Sequence, residues 1–217
     1  MEWHTDTTPK LTLKALTLLS KEEWLSRDGW YLAGGTALAL QVGHRQSVDL
    51  DFFTERKNFL PLEVTKNLSD DVWKADIVQE GTIYGKVLGA KVSFIAYPFF
   101  APMTTKISYG KINVLHKDDI AVMKIIALSQ RGRKRDFLDL YWYAKNVEPL
   151  DLVIKKLPRQ YPTVAHNYHH IIKSLTYFDD AEKDVMPTLF FNVTWKEVKS
   201  YFQKEVPRIA KKLMGLD

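Results

Sequence analysis

The stretch from Trp30 to Phe53 constrains the fold of this chain most, and its sequence is WYLAGGTALALQVGHRQSVDLDFF. An apolar run, Trp30–Ala33, suits a short buried strand, and two glycines then precede an Ala/Leu-rich segment with helical character. After a break at Gly43, apolar and acidic residues alternate over positions 48–53, which is the period of a β-strand. The stretch therefore predicts a strand, a tight turn, a helix and a second strand.

Two acids, Asp49 and Asp51, belong to the second predicted strand. Alternate residues of a strand point to the same face, so these carboxylates should lie side by side. Neighbouring carboxylates repel each other, and folding gains nothing from that arrangement unless a cation lies between them. Hard oxygen ligands suit Mg²⁺ or Mn²⁺, and Mg²⁺ commonly takes further ligands from the phosphates of a nucleotide. The pair predicts a metal site.

The two glycines that precede the helix, Gly34 and Gly35, place bare backbone N–H groups where an anion can approach. Thr36 can cap that helix or donate to a phosphate oxygen. A Gly-Gly pair alone is most often a turn, and Asp-x-Asp alone is more often a solvated strand face. Together, separated by one helix, they predict a phosphate cradle followed by acids for the accompanying metal. Phosphoryl and nucleotidyl transfer use this combination.

The pattern of Gly34-Gly35-Thr36 followed by Asp49-Leu50-Asp51-Phe52 resembles the signature of the polymerase-β-like nucleotidyltransferase superfamily. With Arg45 and Ser47 just before the acids, the longer string resembles more narrowly the AbiEii/AbiGii-type toxins. Those are nucleotidyltransferase-like proteins of bacterial abortive-infection and toxin–antitoxin systems.

A second block lies in the helical segment that begins near Lys117. Lys124 has apolar neighbours on both sides, an arrangement in which a lysine often extends its amine to solvent. A run of basic residues at 131–135 is usually solvated, although beside a nucleotide it can contact phosphate or RNA. The order of the block is similar to that of the AbiEii-type toxins, and its members are Asp119, Lys124, Arg131, Arg135, Asp136 and Asp139. The usual Lys-Asp pair appears here as Arg135-Asp136, which keeps the charge but not the shape.

The resemblance implies an enzyme that transfers a nucleoside monophosphate from an NTP to an acceptor hydroxyl and releases pyrophosphate. It implies RNA, such as tRNA, as the acceptor and a separately encoded antitoxin as a partner. The expected catalytic residues are Asp49, Asp51, Lys124 and Asp136, with Asp49 and Asp51 as ligands of Mg²⁺ or Mn²⁺. The expected nucleotide-binding residues are Gly34, Gly35, Thr36, Arg45, Lys124 and Arg135.

One position departs from the superfamily pattern. A third carboxylate is common on a later strand, and Ser93 stands where it would be expected in the strand Lys91–Ile95. Either two carboxylates suffice, another acid such as Asp76 contributes, or catalysis is weakened. Two alternatives therefore stay open: a nucleotide- or RNA-binding protein without turnover, and an enzyme that modifies a protein or a small molecule such as an antibiotic.

The remaining sequence predicts an α+β fold with a nucleotidyltransferase-like mixed sheet and flanking helices, followed by a helical domain. A helix is expected from Pro9 to near Asp28, antiparallel strands over 72–97, a further strand over 106–115, and helices beyond His116 with Asp118 or Asp119 as the first cap. The predicted boundary divides the chain into an α+β domain, 1–115, and a helical domain, 116–217.

Three histidines and a basic helix near the C-terminus complete the candidates. The spacing of His166, His169 and His170 partly resembles that of metal ligands. Because neither an acid nor a Cys motif lies beside them, a solvent-exposed helix face is the favoured interpretation. The segment 195–213 is amphipathic with a basic outer side that either contacts RNA or keeps the protein in solution. Pro207 is expected to kink that helix.

Composition limits the environment of the protein. The 217-residue chain contains no Cys, which excludes disulfides, thiolate zinc sites and a Cys nucleophile. Its net charge of +5 is compatible with a polyanionic partner. No apolar run approaches the roughly 18 residues that span a bilayer, and the N-terminal residues lack the pattern of a signal peptide. We therefore expect a cytoplasmic protein that does not enter a membrane.

Overall fold

The computed structural model describes residues 2–213. The strands are β1 (Tyr31–Ala33), β2 (Leu50–Thr54), β3 (Trp73–Gln79), β4 (Thr82–Val87), β5 (Ala90–Ala96), β6 (Ile107–Tyr109) and β7 (Ile112–Val114). The helices are α1 (Lys10–Leu19), α2 (Glu23–Arg27), α3 (Gly34–Val42), α4 (Pro61–Thr65), α5 (Lys117–Arg131), α6 (Lys134–Asn146), α7 (Leu150–Lys155), α8 (Leu157–Gln160), α9 (Tyr168–Ser174), α10 (Asp179–Glu182) and α11 (Trp195–Leu213).

Within residues 2–213 the strands form one mixed sheet in the order β3-β4-β5-β2-β1-β7-β6. β2 lies antiparallel to β1 and parallel to β5, and β1 lies parallel to β7. The predicted α+β class and mixed sheet are confirmed. The register aligns Asp51 of β2 with Ala33 of β1 on one side and with Ser93 of β5 on the other.

Alternation along β2 decides which face of the sheet becomes the core. Leu50, Phe52 and Thr54 are buried, whereas the alternate residues Asp51 and Phe53 are partly exposed on the opposite face. Phe52 stacks on Phe94 of β5, and three tryptophans surround Phe94: Trp24, Trp30 and Trp73. Aromatic pairs of this kind bury large areas, and the pair of Trp24 with Phe94 holds the sheet against α2.

The N-terminal helix predicted from Pro9 to Asp28 is wrong in one respect, because it is two helices, α1 and α2. The carbonyl of Ser20 accepts a hydrogen bond from the Lys111 amide at 2.7 Å, in the turn between β6 and β7. The break after α1 is therefore tied to a distant turn of the chain, a contact that local helix signals do not contain. The strand expected over 106–115 is likewise the hairpin β6–β7, which turns at Gly110 with a positive φ.

The predicted cap of α5 is also wrong. His116 is the N-cap residue, and its Nδ1 accepts from the Asp118 amide at 3.3 Å. Asp119 is fully buried and instead accepts hydrogen bonds from the backbone amides of Met103 and Thr104. The acid therefore ties a loop to α5, a tertiary contact that local capping rules do not contain.

Beyond β7, the regular elements of the described chain are helices, joined by loops, and one isolated bridge links Arg45 to Leu189. α5 packs on α6, and both pack on α3. The division at residues 115 and 116 stays a prediction, since helices on one side of it pack directly against the sheet domain. In residues 2–213 no helix has both the length and the apolarity required to cross a membrane.

Candidate active site

A cleft of about 550 Å³ lies between one face of the sheet and the helices α5 and α6. It brings together residues from both sequence blocks, which are Gly34, Gly35, Arg45, Asp49, Asp51, Lys124 and Arg135. Two further candidates, Thr36 and Asp136, lie behind this lining, where they contact residues that form it.

The two glycines let the start of α3 approach the acids. Gly34 has φ +71°, and a Cβ there would lie 3.0 Å from Asp51 Oδ2. A Cβ on Gly35 would lie 2.5 Å from Arg45 Nη2. The first N–H groups of a helix lack intrahelical acceptors, and the helix dipole adds positive potential there. The absence of side chains therefore leaves backbone N–H groups without intrahelical acceptors next to the two carboxylates.

Thr36 does not cap α3, because the N-cap is Ala33, whose side chain cannot accept a hydrogen bond. Its hydroxyl donates to the Asp49 carbonyl oxygen and shares a second hydrogen bond with Ser47 Oγ at 2.9 Å. Thr36 is almost fully buried. It fixes the backbone that carries Asp49.

Asp49 and Asp51 both line the cleft. The strand predicted over 48–53 is wrong at its start, because β2 begins at Leu50 and Asp49 precedes it. Asp51 Oδ1 accepts from Ser93 Oγ at 2.6 Å, and Asp49 Oδ2 lies 3.3 Å from Arg135 Nη1. Burial raises the pKa of Asp51; the Ser93 hydrogen bond opposes this effect, and the charge of Asp49 adds to it. The ionised form of Asp51 is therefore disfavoured, chiefly by burial.

The donor set fits a divalent cation. Two carboxylates share one cleft, one of them with its ionised form disfavoured, and a cation beside them would reverse that effect. Ser93 occupies the aligned position on β5. Over residues 2–213 no group of three or more His, Cys, Asp or Glu side chains is arranged to hold a metal ion, so Asp76, which also lines the cleft, does not join Asp49 and Asp51 in such a group. Asp76 is two strands from Ser93 and lies 3.8 Å from Lys86.

Behind the cleft, Asp139 of α6 is the centre of a buried charge network. It accepts from Arg45 Nε at 2.5 Å and Nη2 at 2.9 Å, from His44 Nε2 at 2.7 Å, and lies 2.6 Å from Lys124 Nζ. Burial raises the pKa of the Asp139 carboxyl, but the charges of Arg45 and Lys124 outweigh it and hold that pKa well below its usual range. Burial lowers the pKa of His44, although the hydrogen bond to Asp139 opposes this effect. The lowered pKa favours the neutral imidazole.

Asp136, one turn earlier on α6, is equally buried. It accepts from Lys124 Nζ at 2.6 Å and from Arg131 Nε at 3.0 Å. Burial raises the pKa of Asp136, but the charges of Lys124 and Arg131 lower it further than burial raises it. Lys124 itself is only 4% exposed, so its amine does not extend to bulk solvent. The two acids hold this amine at the cleft wall.

Sequence reasoning gave no role to His44, and it matched Asp139 to the second block without one. Asp136 and Asp139 are three residues apart on one helix, a spacing that places both on one face. That spacing, with Lys124 among apolar neighbours, is the signal that could have identified the buried cluster. The three C-terminal histidines do not meet: His166 lies 3.2 Å from the Tyr161 carbonyl and His170 lies 2.8 Å from the Ser129 carbonyl.

Comparison with known proteins supplies a family and a fold. A family model described as the nucleotidyl transferase AbiEii toxin of a type IV toxin–antitoxin system matches residues 18–212. The chain is 34% identical over 189 residues to an uncharacterized protein of Aquifex aeolicus (strain VF5), which covers 82% of this chain and 87% of that relative.

Two solved structures share the fold. MenT4, a nucleotidyltransferase toxin of Mycobacterium tuberculosis H37Rv, superposes with a TM-score of 0.56 at 13% identity, covering 93% of this chain and 85% of that one. JHP933 from Helicobacter pylori superposes with a TM-score of 0.52 at 17% identity, covering 95% and 96%. At these identities the likeness concerns the arrangement of the backbone.

Proposed function

The chain belongs to the AbiEii family of nucleotidyl transferase toxins, and on that premise we propose that it transfers a nucleoside monophosphate from an NTP to a hydroxyl of RNA. The general class, a nucleotidyltransferase of a toxin–antitoxin system, comes from the family. The observation that carries the finer proposal is the convergence of Asp49, Asp51 and the glycine-led start of α3 in one cleft.

Asp49 and Asp51 are the residues that would hold Mg²⁺ or Mn²⁺, which neutralises phosphate charge and polarises the phosphoryl oxygens when bound. The amides of Gly34 and Gly35 receive phosphate oxygens of the NTP. Thr36 acts indirectly in this proposal, because its hydroxyl is already bonded to the Asp49 carbonyl. Ser93 holds one oxygen of Asp51 and so orients that carboxylate.

Positive charge at the helical wall offsets the triphosphate. Arg135 is 45% exposed and touches only one oxygen of Asp49, so its guanidinium is available to a phosphate. Lys124 presents its amine from the helical wall of the cleft, and the buried guanidinium of Arg45 adds positive electrostatic potential next to the glycines. Asp136 is a weak base here because its pKa is lowered. We assign it the orientation of Lys124 rather than proton transfer.

The reaction forms one bond and breaks one. The acceptor oxygen attacks the α-phosphorus, the bond from that phosphorus to the bridging oxygen of the β-phosphate breaks, and pyrophosphate leaves. The hydroxyl proton passes to solvent. Positioning and charge neutralisation carry most of such a step, which accords with a site built from backbone amides, carboxylates and cationic side chains.

The test incubates the protein with each of four radiolabelled NTPs, Mg²⁺ and total bacterial tRNA, beside Asp49→Asn and Asp51→Asn variants. We expect label on RNA with the wild type and none with either variant. If RNA stays unlabelled and a protein or a small molecule becomes labelled, that molecule is the acceptor and RNA is not. An antitoxin encoded beside the chain, as the type IV family implies, is expected to relieve growth inhibition when both are expressed.

A second candidate is a nucleotide- or RNA-binding protein without turnover. Ser93 favours it, because a hydroxyl stands where a third carboxylate is common and is a poor anchor for Mg²⁺. NTP binding measured by calorimetry with no labelled product on any acceptor would establish this alternative.

A further inference from the structure

A row of side chains crosses the sheet from its outer edge to the candidate metal ligands. The register aligns Ile77 of β3 with Tyr84 of β4, Tyr84 with Ser93 of β5, and Ser93 with Asp51 of β2. Adjacent strands are about 4.8 Å apart, so Tyr84 and Asp51 are separated by about 10 Å along this row. Tyr84 is 43% exposed and Ile77 is 48% exposed, so an aromatic ring and an aliphatic side chain lie bare beside the site.

The next row is a ladder of lysines. Lys74 of β3 is aligned with Lys86 of β4, and Lys86 is aligned with Lys91 of β5. All three are exposed. Like charges directly opposite each other on a sheet are destabilising, so this arrangement does not serve folding. Asp76, in the β-bulge of β3, lies 3.8 Å from Lys86 and offsets one of the charges.

The opposite face of the same strands is well packed. Trp73 lies over Gly85, where a Cβ would collide with the indole ring and with the Lys74 carbonyl, and Ile83 and Val87 are fully buried. These strands are therefore firmly held, and the exposure of Tyr84 is not a sign of loose packing. The face is also continuous with the cleft, whose lining includes Asp76, Ile77, Tyr84 and Lys91 together with Asp49 and Asp51.

We propose that the uncovered face of β3, β4 and β5 binds the single-stranded acceptor end of the RNA, with a base on Tyr84 and phosphates along Lys74, Lys86 and Lys91. This proposal rests on the proposed function and adds where its acceptor lies. Surfaces that bind single strands combine aromatic rings, on which bases stack, with cationic side chains that follow the backbone. The two rows on this face supply both, side by side.

The position of the face favours the acceptor over the NTP. On one side of Asp51 lies β1, which leads into Gly34 at the start of α3. On the other side lie Ser93 of β5 and then Tyr84 of β4. The anion-binding amides of α3 and the lysine ladder therefore lie on opposite sides of the metal ligands. An NTP on the first side and an acceptor hydroxyl arriving along the second would meet at Asp51, as an in-line transfer requires.

The experiment measures binding of a short, 5′-labelled single-stranded RNA to the full chain by fluorescence anisotropy over a range of salt concentrations. The ladder variant is Lys74→Gln/Lys86→Gln/Lys91→Gln. The matched control removes three exposed lysines of α11, Lys196→Gln/Lys204→Gln/Lys211→Gln, and so changes the net charge equally. We expect the ladder variant to bind at least tenfold more weakly and its log–log salt slope to fall by about 2, given about 0.7 per phosphate contact for single strands. The control should stay within about twofold of the wild type.

Tyr84 supplies an independent readout. Tyr84→Ala should weaken binding about tenfold through the loss of base stacking, whereas Tyr84→Phe retains the ring and should bind as the wild type does. Removing opposed lysines relieves repulsion, so the ladder variant should keep the thermal midpoint of the wild type. A folded ladder variant with unchanged RNA affinity would overturn the proposal, as would equal losses in the ladder and α11 variants.

Polyglutamate serves as the probe for an acidic protein partner. If it competes with RNA for the ladder, and Tyr84→Ala changes neither affinity, the occupant is an acidic polypeptide and the proposal is wrong. Label transfer separates the two proposals. If the wild type and the ladder variant transfer label to RNA equally, the proposed function is supported and the acceptor surface is rejected. Absence of transfer in the wild type rejects the function, and the binding data then decide the surface alone.

Discussion

The two walls of the cleft use the same residue type in opposite ways. On the sheet wall, Asp49 and Asp51 are partly exposed and share one serine hydroxyl and one arginine contact between them. On the helical wall, Asp136 and Asp139 are completely buried, and each is bound by two cationic side chains. The pKa of Asp51 is raised, whereas the pKa values of Asp136 and Asp139 are lowered. The pair on the sheet wall has a single cationic contact, at 3.3 Å, whereas each acid of the helical wall has two, at 3.0 Å or less.

We interpret this difference as that between a candidate binding site and a scaffold. Carboxylates that lack counter-charge favour the arrival of a cation, and they reduce the stability of the empty protein. Carboxylates that are fully paired stabilise the arrangement of the chain and have little capacity to bind anything else. Lys124 joins the two walls, because both buried acids hold its amine at the edge of the cleft.

The largest expected effect is the loss of activity in Asp51→Asn. An amide cannot replace an anionic metal ligand, and we expect nucleotidyl transfer to fall at least about 1,000-fold, equivalent to about 4 kcal/mol. The free energy of unfolding should stay equal to that of the wild type or rise, because burial already disfavours the charged form of this group. Label transfer and urea denaturation measure the two quantities. Full activity in the variant would remove Asp51 from the site.

Asp139→Asn should give the reverse pattern. The neutral amide leaves Arg45 and Lys124 without a buried counter-charge, a change that costs about 3–5 kcal/mol of stability. Urea denaturation checks this against Asp70→Asn, an exposed substitution of the same kind that should lie within about 0.5 kcal/mol of the wild type. Equal stability of the two variants would mean that the helical wall is not a scaffold.

The same contrast predicts a dependence of stability on pH. Charges of Arg45, Lys124 and Arg131 lower the pKa values of Asp136 and Asp139 below the ordinary value of 3.8, despite burial. A carboxyl whose pKa is lowered by folding contributes stability that is present above 3.8 and is lost as the pH falls through the folded pKa. The free energy of unfolding should therefore decrease below about pH 4, by about 1.4 kcal/mol per pH unit for each proton taken up. Asp139→Asn should show a shallower slope over this window, and identical slopes in both proteins would contradict the assignment.

The sheet wall could be predicted from the sequence, and the helical wall could be predicted only in part. Alternation over 48–53 is a local signal, and both acids that it identified line the cleft. The alternation itself holds only from Leu50, since Asp49 precedes β2 and Val48 is exposed. The two glycines at the start of α3 are a local sequence signal as well. The bonds of Arg45 and His44 to Asp139 span more than 90 residues of chain, and no periodicity encodes them. Asp119 illustrates the same limit: its position suggests a helix cap, but tertiary contacts with Met103 and Thr104 take its carboxylate.

Arg45 and Thr36 lie at or behind the predicted cleft, but their polar atoms have other partners than the predicted phosphates. Both were predicted beside the nucleotide, and Arg45 does line the cleft. Its Nε and Nη2 groups nevertheless point to Asp139, and the Thr36 hydroxyl points to the Asp49 carbonyl. Composition and spacing identify which residues gather at a site. They do not report which partner each polar atom finds, since that depends on packing between distant segments.

The smallest expected effect tests the serine that stands in place of a third acid. Ser93→Ala removes a hydrogen bond of 2.6 Å to Asp51 without touching the carboxylate. A hydrogen bond to a charged group contributes about 1.5–3 kcal/mol, and part of the loss should be recovered because water can reach the partly exposed Asp51. We therefore expect transfer to fall about tenfold, with half-maximal activity at a higher Mg²⁺ concentration. Ser93→Thr keeps the hydroxyl and should retain most activity. If Ser93→Ala and Ser93→Thr lose activity equally, the side-chain volume at this position matters and the hydrogen bond does not. The sheet alone would then orient the two carboxylates.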